Sequence, residues 1–267
     1  MTAAAAPSHT AQPWPARIEN PDAPGRAVVI CEHASNRFPE AFGTLGLTAS
    51  QRRAHIAWDP GALGLARELA RALDSPLVSA PLSRLIHDCN RPPDAAGAMA
   101  ARSEVHDIPG NAALSAAARL ERVDAVYRPF HDGLRALILR RMTLGLAPVL
   151  VTIHSFAPVF HGKPRSVQFG VIHDADRRLA DAVMVAAKAL SLETRLNQPY
   201  SAAEGVTHTL ALQATPYGLP NVMLEVRNDL IATPDAENQI ATLLAPVLAE
   251  AIAALTPQSG TAAARTG

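Results

Sequence analysis

The sequence predicts an α/β protein, a three-layer sandwich around a mostly parallel, mixed sheet, and three observations carry the prediction. Residues 26–31 (Arg-Ala-Val-Val-Ile-Cys), 148–156 (Pro-Val-Leu-Val-Thr-Ile-His-Ser-Phe) and 221–227 (Asn-Val-Met-Leu-Glu-Val-Arg) are the near-continuous apolar runs of strands buried on both faces. Between them lie amphipathic or alanine-rich stretches of helical length, so strand and helix alternate along the chain. The strands also run into polar groups, Glu32-His33 after the first, His154-Ser155 at the end of the second and Glu225 within the third. Open α/β sheets bind ligands just beyond the carboxyl ends of their strands.

Taken in order, the 26–31 strand leads into Glu32-His33-Ala34-Ser35-Asn36. Thr48 and Gln51 match a capping box that would start a helix reaching about Trp58. Asp59-Pro60 reads as an N-cap followed by proline at the first helical position, opening a helix over 61–73 with Leu63, Leu65, Leu69 and Leu73. Residues 76–83 supply a short strand, and in 84–93 the pair Pro92-Pro93 disfavours helix. Residues 92–109 read as a long loop, of the length that in compact domains is functional or disordered. Residues 112–146 are helical in pattern, kinked or divided at Pro129. After the 148–156 strand come a loop (158–165), a strand (166–172), an alanine-rich helix (174–190), a short strand (192–196), a polar connection (197–206) and a helix (207–214). The 221–227 strand and a helix from the Thr233-Pro234 cap to about Leu255 complete the pattern.

The 267 residues fit one large domain or two small ones, and with no repeat and no convincing boundary we read a single domain over 25–256. Residues 1–24, rich in alanine and proline but without a basic n-region or a continuous apolar segment, read as a disordered arm, and 257–267 as a flexible tail. Lys and Arg (24) balance Asp and Glu (24), and aromatics are scarce, so neither phosphate neutralisation nor base stacking is supported and nucleic acid is not an expected partner. No apolar run approaches the ~20 residues that cross a bilayer. Cys31 and Cys89 are too few for a disulfide scaffold and read as small core residues, which makes a reducing cytoplasm the default location.

Polar residues concentrate in Glu32-His33-Ala34-Ser35-Asn36, His55 to Asp59, Thr152 to Ser155 and Glu225 to Asp229, with Arg84, Asp88, Asn90 and Arg91 as a fifth group. Two neutral imidazoles and a carboxylate, with one position open, are the ligand set of a hydrolytic zinc site, where the ion lowers the pKa of its water to ~7. Asp59 is open to two readings, ligand or simple helix cap. Arg91 is likewise a ligand-binding group or a loop cation paired with Asp88 or Asp94. Glu225 favours a functional role, since a carboxylate in an apolar strand is costly unless paired or coordinated. His87, His106, His131, His161, His173 and His208 have no ligand-like spacing and read as structural.

The motifs Glu32-His33-Ala34-Ser35-Asn36-Arg37, His55-Ile56-Ala57-Trp58-Asp59, Asp88-Cys89-Asn90-Arg91-Pro92-Pro93, Thr152-Ile153-His154-Ser155-Phe156, Gly218-Leu219-Pro220 and Glu225-Val226-Arg227-Asn228-Asp229-Leu230 run in order over residues 26–231. In this the sequence resembles the N-formylglutamate amidohydrolase family, in its shorter branch. The resemblance implies a fold like that of the zinc-dependent exopeptidases, whose first histidine is followed three residues later by a glutamate ligand. Here Asn36 stands in that place, and an amide oxygen is a poor zinc ligand. The expected metal ligands are therefore His33, His154 and Asp59, with Glu32 and His55 in reserve. The resemblance further implies Glu225 as general base and Asn90-Arg91 as the clamp on a substrate carboxylate, assisted by Arg84 or Arg227. Gln213 departs from the histidine that many members carry.

The expected function is that of an amidohydrolase binding one zinc ion. Its expected partner is a small-molecule N-acyl amino acid, with the N-acyl group, formyl first, cleaved from an acidic amino acid such as N-formyl-L-glutamate. A metallopeptidase or deacylase acting on another amide would use the same residues, and a non-catalytic small-molecule binder is the reading from a different class.

Overall fold

The structure is a computed structural model that describes residues 12–255; the first part of the expected arm and the expected tail lie outside the described residues. In chain order the elements are β1 (Arg17–Glu19), β2 (Ala27–Cys31), α1 (Ala62–Ala72), β3 (Leu77–Ser79), the hairpin β4 (Arg102–Ser103) and β5 (His106–Asp107), α2 (Pro109–Ala112), α3 (Ala116–Arg122) and α4 (Arg128–Thr143). They continue with β6 (Val149–Phe156), the hairpin β7 (Val159–Phe160) and β8 (Lys163–Pro164), β9 (Phe169–Ile172), α5 (Arg178–Ala186), β10 (Thr194–Leu196), α6 (His208–Gln213), β11 (Asn221–Arg227) and α7 (Pro234–Ala254). One seven-stranded sheet runs in the order β1-β3-β2-β6-β11-β9-β10. β3, β2, β6 and β11 are mutually parallel, β9 is antiparallel to β11 but parallel to β10, and β1 is antiparallel to β3. This is the mixed, mostly parallel sheet that the sequence predicts.

Side chains alternate across a strand, so each central strand divides its residues between two layers. Ala27, Val29 and Cys31 of β2, Val149, Val151 and Ile153 of β6, and Val222, Leu224 and Val226 of β11 form one core with Leu65 and Leu69 of α1, Val183 of α5 and Leu244 and Leu248 of α7. Val28, Ile30, Leu150 and Met223 face the other core, with Phe130, Leu134 and Ile138 of α4 and Leu210 of α6. A fully buried side chain of this kind contributes roughly 1.5–3 kcal/mol. Alternation also places Thr152, His154 and Glu225 on the second face, in line with Leu150 and Met223. The polar groups therefore occupy only the carboxyl-terminal end of an otherwise apolar surface.

Local expectations were altered where tertiary contacts compete with sequence signals. Thr48 and Gln51 exchange the reciprocal bonds of a capping box, Gln51 N–H to Thr48 Oγ1 at 3.2 Å and Thr48 N–H to Gln51 Oε1 at 2.9 Å, yet the helix that follows is a single 3-10 turn, Gln51–Arg53. Asp59 does not cap α1: the cap position is Gly61, and no side chain bonds there. Within the expected disordered arm, β1 pairs with β3, and the Trp14 N–H donates to the Ala125 carbonyl at 2.7 Å. That carbonyl is the one a residue at 129 would bond in an unbroken helix, and Pro129 has no N–H to offer. The rod from α3 to α4 passes Pro129 through a five-residue π-turn, Val123–Tyr127. Pro129 thus sits in the first turn of α4, and the π-turn before it separates α3 from α4, in line with a pattern divided near Pro129. No helix among the described residues is long and apolar enough to cross a membrane.

Candidate metal centre

Three parallel strands set the site. β11 lies beside β6 with Glu225 opposite His154, and β2 lies on the other side of β6 with Ile30 opposite Thr152, so Glu32 continues the same row one step beyond β2. His33 follows in the turn. Asp59 is brought to it by backbone, its N–H donating to the His33 carbonyl at 3.0 Å. Ser155 secures the same turn from β6, its N–H 3.3 Å from Asp59 Oδ2 and its hydroxyl donating to the Pro60 carbonyl at 2.7 Å. Gly61 then turns the chain into α1 with φ of 78°, and a Cβ there would overlap the Ile231 carbonyl, so the close approach requires glycine.

Three ligand atoms meet at one point. His33 Nδ1 is 3.2 Å from Asp59 Oδ2, His154 Nδ1 is 2.9 Å from the same oxygen, and the two ring nitrogens are 3.2 Å apart. These separations are close to the roughly 3.3 Å expected between ligands around a tetrahedral ion with bonds of about 2.0–2.1 Å. The other nitrogen of each ring faces a buried carboxylate. His33 Nε2 donates to Asp88 Oδ1 at 2.8 Å, and His154 Nε2 lies 3.1 Å from Glu32 Oε2, an ion contact whose angles fall short of a hydrogen bond. A carboxylate on Nε2 keeps the proton there and leaves the Nδ1 lone pair of a neutral ring directed at the common point. The buried His33, Asp59 and His154 could therefore hold one metal ion.

Charge in this cluster is governed by pairing rather than by burial. Burial raises the Asp59 carboxyl, but His33 and His154 overcome it and hold Asp59 far below the usual range. For Asp88, Arg84 and His33 likewise overcome burial and keep it well below its ordinary value. His154 is disfavoured as a cation by burial, yet Glu32 and Asp59 lift it well above the ordinary value. Glu225 is the exception. Burial dominates there and pushes its carboxyl up to about 7, and its Oε2 is buried with no partner in the protein. Arg84 is the guanidinium within this acidic group, with Nη2 donating to Asp88 Oδ2 at 2.7 Å and Nη1 3.5 Å from Asp59 Oδ1.

The cluster opens into a cavity of about 500 Å³ bordered by Arg84, Asn90, Arg91, Arg165, Tyr200 and Glu225 among others. Arg91 donates to the Glu204 carbonyl at 2.6 Å and has no acidic partner among the described residues. Asn90 borders the cavity too, but its amide ties α6 in place, donating to the Val206 carbonyl and accepting from the Thr209 N–H. Arg227 stands outside the cavity, bonded to Asp229 and, through Nη1, to the Arg165 carbonyl at 3.0 Å. Of the reserve ligands, Glu32 faces the outer nitrogen of His154 and His55 pairs with Glu104 at 2.8 Å on the cavity wall, while Asn36, in the place of the family's glutamate, does not border the cavity. Gln213 is buried away from the cavity, donating to His131 Nδ1 at 3.1 Å.

Sequence reasoning missed Asp88 as the group that orients His33. It also missed Arg165 and Tyr200 altogether. In the sequence Asp88 reads only as a partner for arginine, and Arg165 ends a loop with no periodicity or motif to single it out.

Residues 25–232 match the family described as N-formylglutamate amidohydrolase. The crystal structure of gene product Atu2144 from Agrobacterium tumefaciens is similar to this chain at 46% identity with a TM-score of 0.88, over 92% of this chain and 96% of that one. The crystal structure of N-formylglutamate amidohydrolase from Ralstonia eutropha JMP134 shares the fold at 16% identity with a TM-score of 0.64, over 91% of this chain and 100% of that one. No curated protein matches the sequence.

Proposed function

The chain belongs to the N-formylglutamate amidohydrolase family, and from that premise we propose that it is a zinc-dependent hydrolase. Its reaction would remove an N-acyl group, formyl first, from an acidic amino acid such as N-formyl-L-glutamate. His33, Asp59 and His154 would hold the ion, with Asp88 and Glu32 fixing the two rings. Bound there, zinc would supply a Lewis acid for the amide carbonyl and a lowered pKa for water. Glu225 takes the proton of the attacking water and returns it to the leaving nitrogen, a task suited to a carboxyl whose pKa lies near neutrality. Arg91 pairs with a substrate carboxylate through two parallel N–H donors. Arg84, bonded to Asp88 and close to Asp59, serves the metal side of the site.

The observation that carries this reading is the placement of Glu225 directly opposite His154, with an unpartnered carboxylate oxygen beside three convergent ligand atoms. The test is zinc content together with acyl release from a panel of N-formyl and N-acetyl amino acids. About one zinc per chain is expected, with formate release from N-formyl-L-glutamate that a chelator abolishes and zinc restores. Protein that carries zinc yet cleaves no member of the panel would be a binder on the same fold.

A further inference from the structure

Arg165 closes the β7–β8 hairpin, its N–H donating to the Pro158 carbonyl at 2.8 Å, and its guanidinium enters the cavity wall. Three aromatic rings surround it there. The guanidinium carbon lies 4.3 Å from the centre of the Phe160 ring, 5.0 Å from Tyr200 and 5.5 Å from Phe156. Nη1 donates to the Tyr200 hydroxyl oxygen at 3.1 Å and lies 3.4 Å from the Ala157 carbonyl. Because the Tyr200 oxygen accepts from Arg165, its own O–H is left to donate elsewhere. From behind, Arg227 bonds the Arg165 carbonyl, so the backbone is braced as well.

The arginines bordering the cavity divide into two kinds. Arg84 pairs with Asp88 and Arg102 with Asp107, whereas Arg91 and Arg165 have no acidic partner among the described residues. A single loop separates the unpaired two: Tyr200 near its start meets Arg165, and the Glu204 carbonyl further on accepts from Arg91. That loop crosses the sheet at Gly170, where a Cβ would overlap the Gln198 carbonyl oxygen, and Gly170 is the register partner of Glu225. The Arg165 slot therefore lies on the Glu225 side of the site, while Arg91 follows Asp88, the partner of His33. A half-buried guanidinium among aromatic rings, offering N–H edges to the cavity, is matched by a carboxylate bound in the plane of the fork.

We propose that Arg165, framed by Phe156, Phe160 and Tyr200, is a specificity-determining residue that binds a second substrate carboxylate, distinct from the one held by Arg91. The proposal rests on the amidohydrolase reading above. It assigns the two anionic groups of an N-acyl dicarboxylic amino acid to two separate guanidiniums.

The experiment compares N-formyl-L-glutamate with its side-chain amide and with its α-amide, each lacking one charge, on the zinc-loaded full chain. The wild type is expected to discriminate against both amides. Arg165→Ala should lower kcat/KM for N-formyl-L-glutamate by roughly 10- to 100-fold, mainly through KM, the range of one charge-assisted hydrogen-bonded pair. It should also collapse the discrimination against one amide only, and Arg91→Ala should collapse it against the other. Arg165→Lys should recover part of the loss, which a folding defect would not. Equal proportional losses on all three compounds, or unchanged discrimination, would overturn the proposal. If the wild type cleaves none of them, the hydrolase reading fails by itself. Calorimetric binding of the same three compounds then decides the slot, with Arg165→Ala weakening the dicarboxylate relative to only one amide if the assignment holds and all three alike if it does not.

Discussion

Glu225 is the only acidic residue of β11 and stands among apolar residues between Asn221 and Arg227, and its proposed role can be tested separately from that of the residues around it. Replacing it with glutamine keeps the shape of the side chain and, on the proposed reading, removes the base. Glu225→Gln should retain its zinc while kcat falls by roughly 10²–10⁴-fold, the usual contribution of a positioned acid–base group. His154→Ala should instead lose zinc stoichiometry along with turnover. Metal analysis and steady-state kinetics on the two variants would read the difference, and a zinc-free Glu225→Gln protein would contradict the assignment.

Two histidines outside the cluster bear on stability. His87 and His131 are buried, and burial brings both down to about 4. His131 is fixed as a neutral ring by donating to the Cys89 carbonyl at 2.8 Å and accepting from Gln213. An unfolded chain takes up these protons near the ordinary value of about 6.5, so between pH 6.5 and 4 it binds more protons than the folded one. Stability from these groups is complete above pH 6.5 and declines as pH falls toward 4, by on the order of 3 kcal/mol for each. Urea midpoints measured across that range should decline less steeply for His131→Gln than for the wild type. An identical slope would mean that His131 titrates normally in the fold.

Among the elements, the start of α1 matters most to the site. Its first turn was legible as a helix start from Asp59-Pro60, but the carboxylate that the signal assigned to capping is turned inward to the two imidazoles, and Gly61 makes the turn in its place. Gly61→Ala introduces a Cβ at positive φ against the Ile231 carbonyl. It should cost at least about 1–2 kcal/mol in denaturant unfolding and weaken zinc binding by displacing Asp59. Unchanged zinc affinity in a destabilised variant would show that the turn does not position the ligand. At the α3–α4 junction the sequence signal was real but its consequence was not local. Pro129 leaves the Ala125 carbonyl without a helical donor, and the chain near Trp14 supplies one, so a stretch that composition marked as disordered is bound to the body.

Across the molecule, the candidate metal site and its neighbours join segments from residue 32 to residue 225, and on the proposed reading an ion bound only by the folded chain adds its binding free energy to stability. At an ion concentration 100 times Kd the gain is about 2.7 kcal/mol, or roughly 5–11 °C in Tm for a domain of this size. Chelation followed by zinc readdition should lower and then restore Tm by such an amount, whereas magnesium should not substitute. A Tm insensitive to chelator in protein first shown to carry zinc would place the ion outside the folded core.

The sequence by itself determined the alternation of strands and helices and the exceptional status of His33, His154 and Glu225. Periodicity is a local property, and a charged or imidazole group at the end of an apolar run is conspicuous without any knowledge of its neighbours. Asp59 was the expected third ligand, ahead of Glu32 and His55, and the structure brings it to both rings; the tertiary structure alone decided that Asp88 and Glu32 face the outer nitrogens, and that Arg165 lies among aromatic rings while Arg227 bonds its carbonyl. Those outcomes depend on which atoms of distant segments approach within about 3 Å. Sheet order, strand register and the turn at Gly61 set that approach, and no local pattern in the chain encodes it.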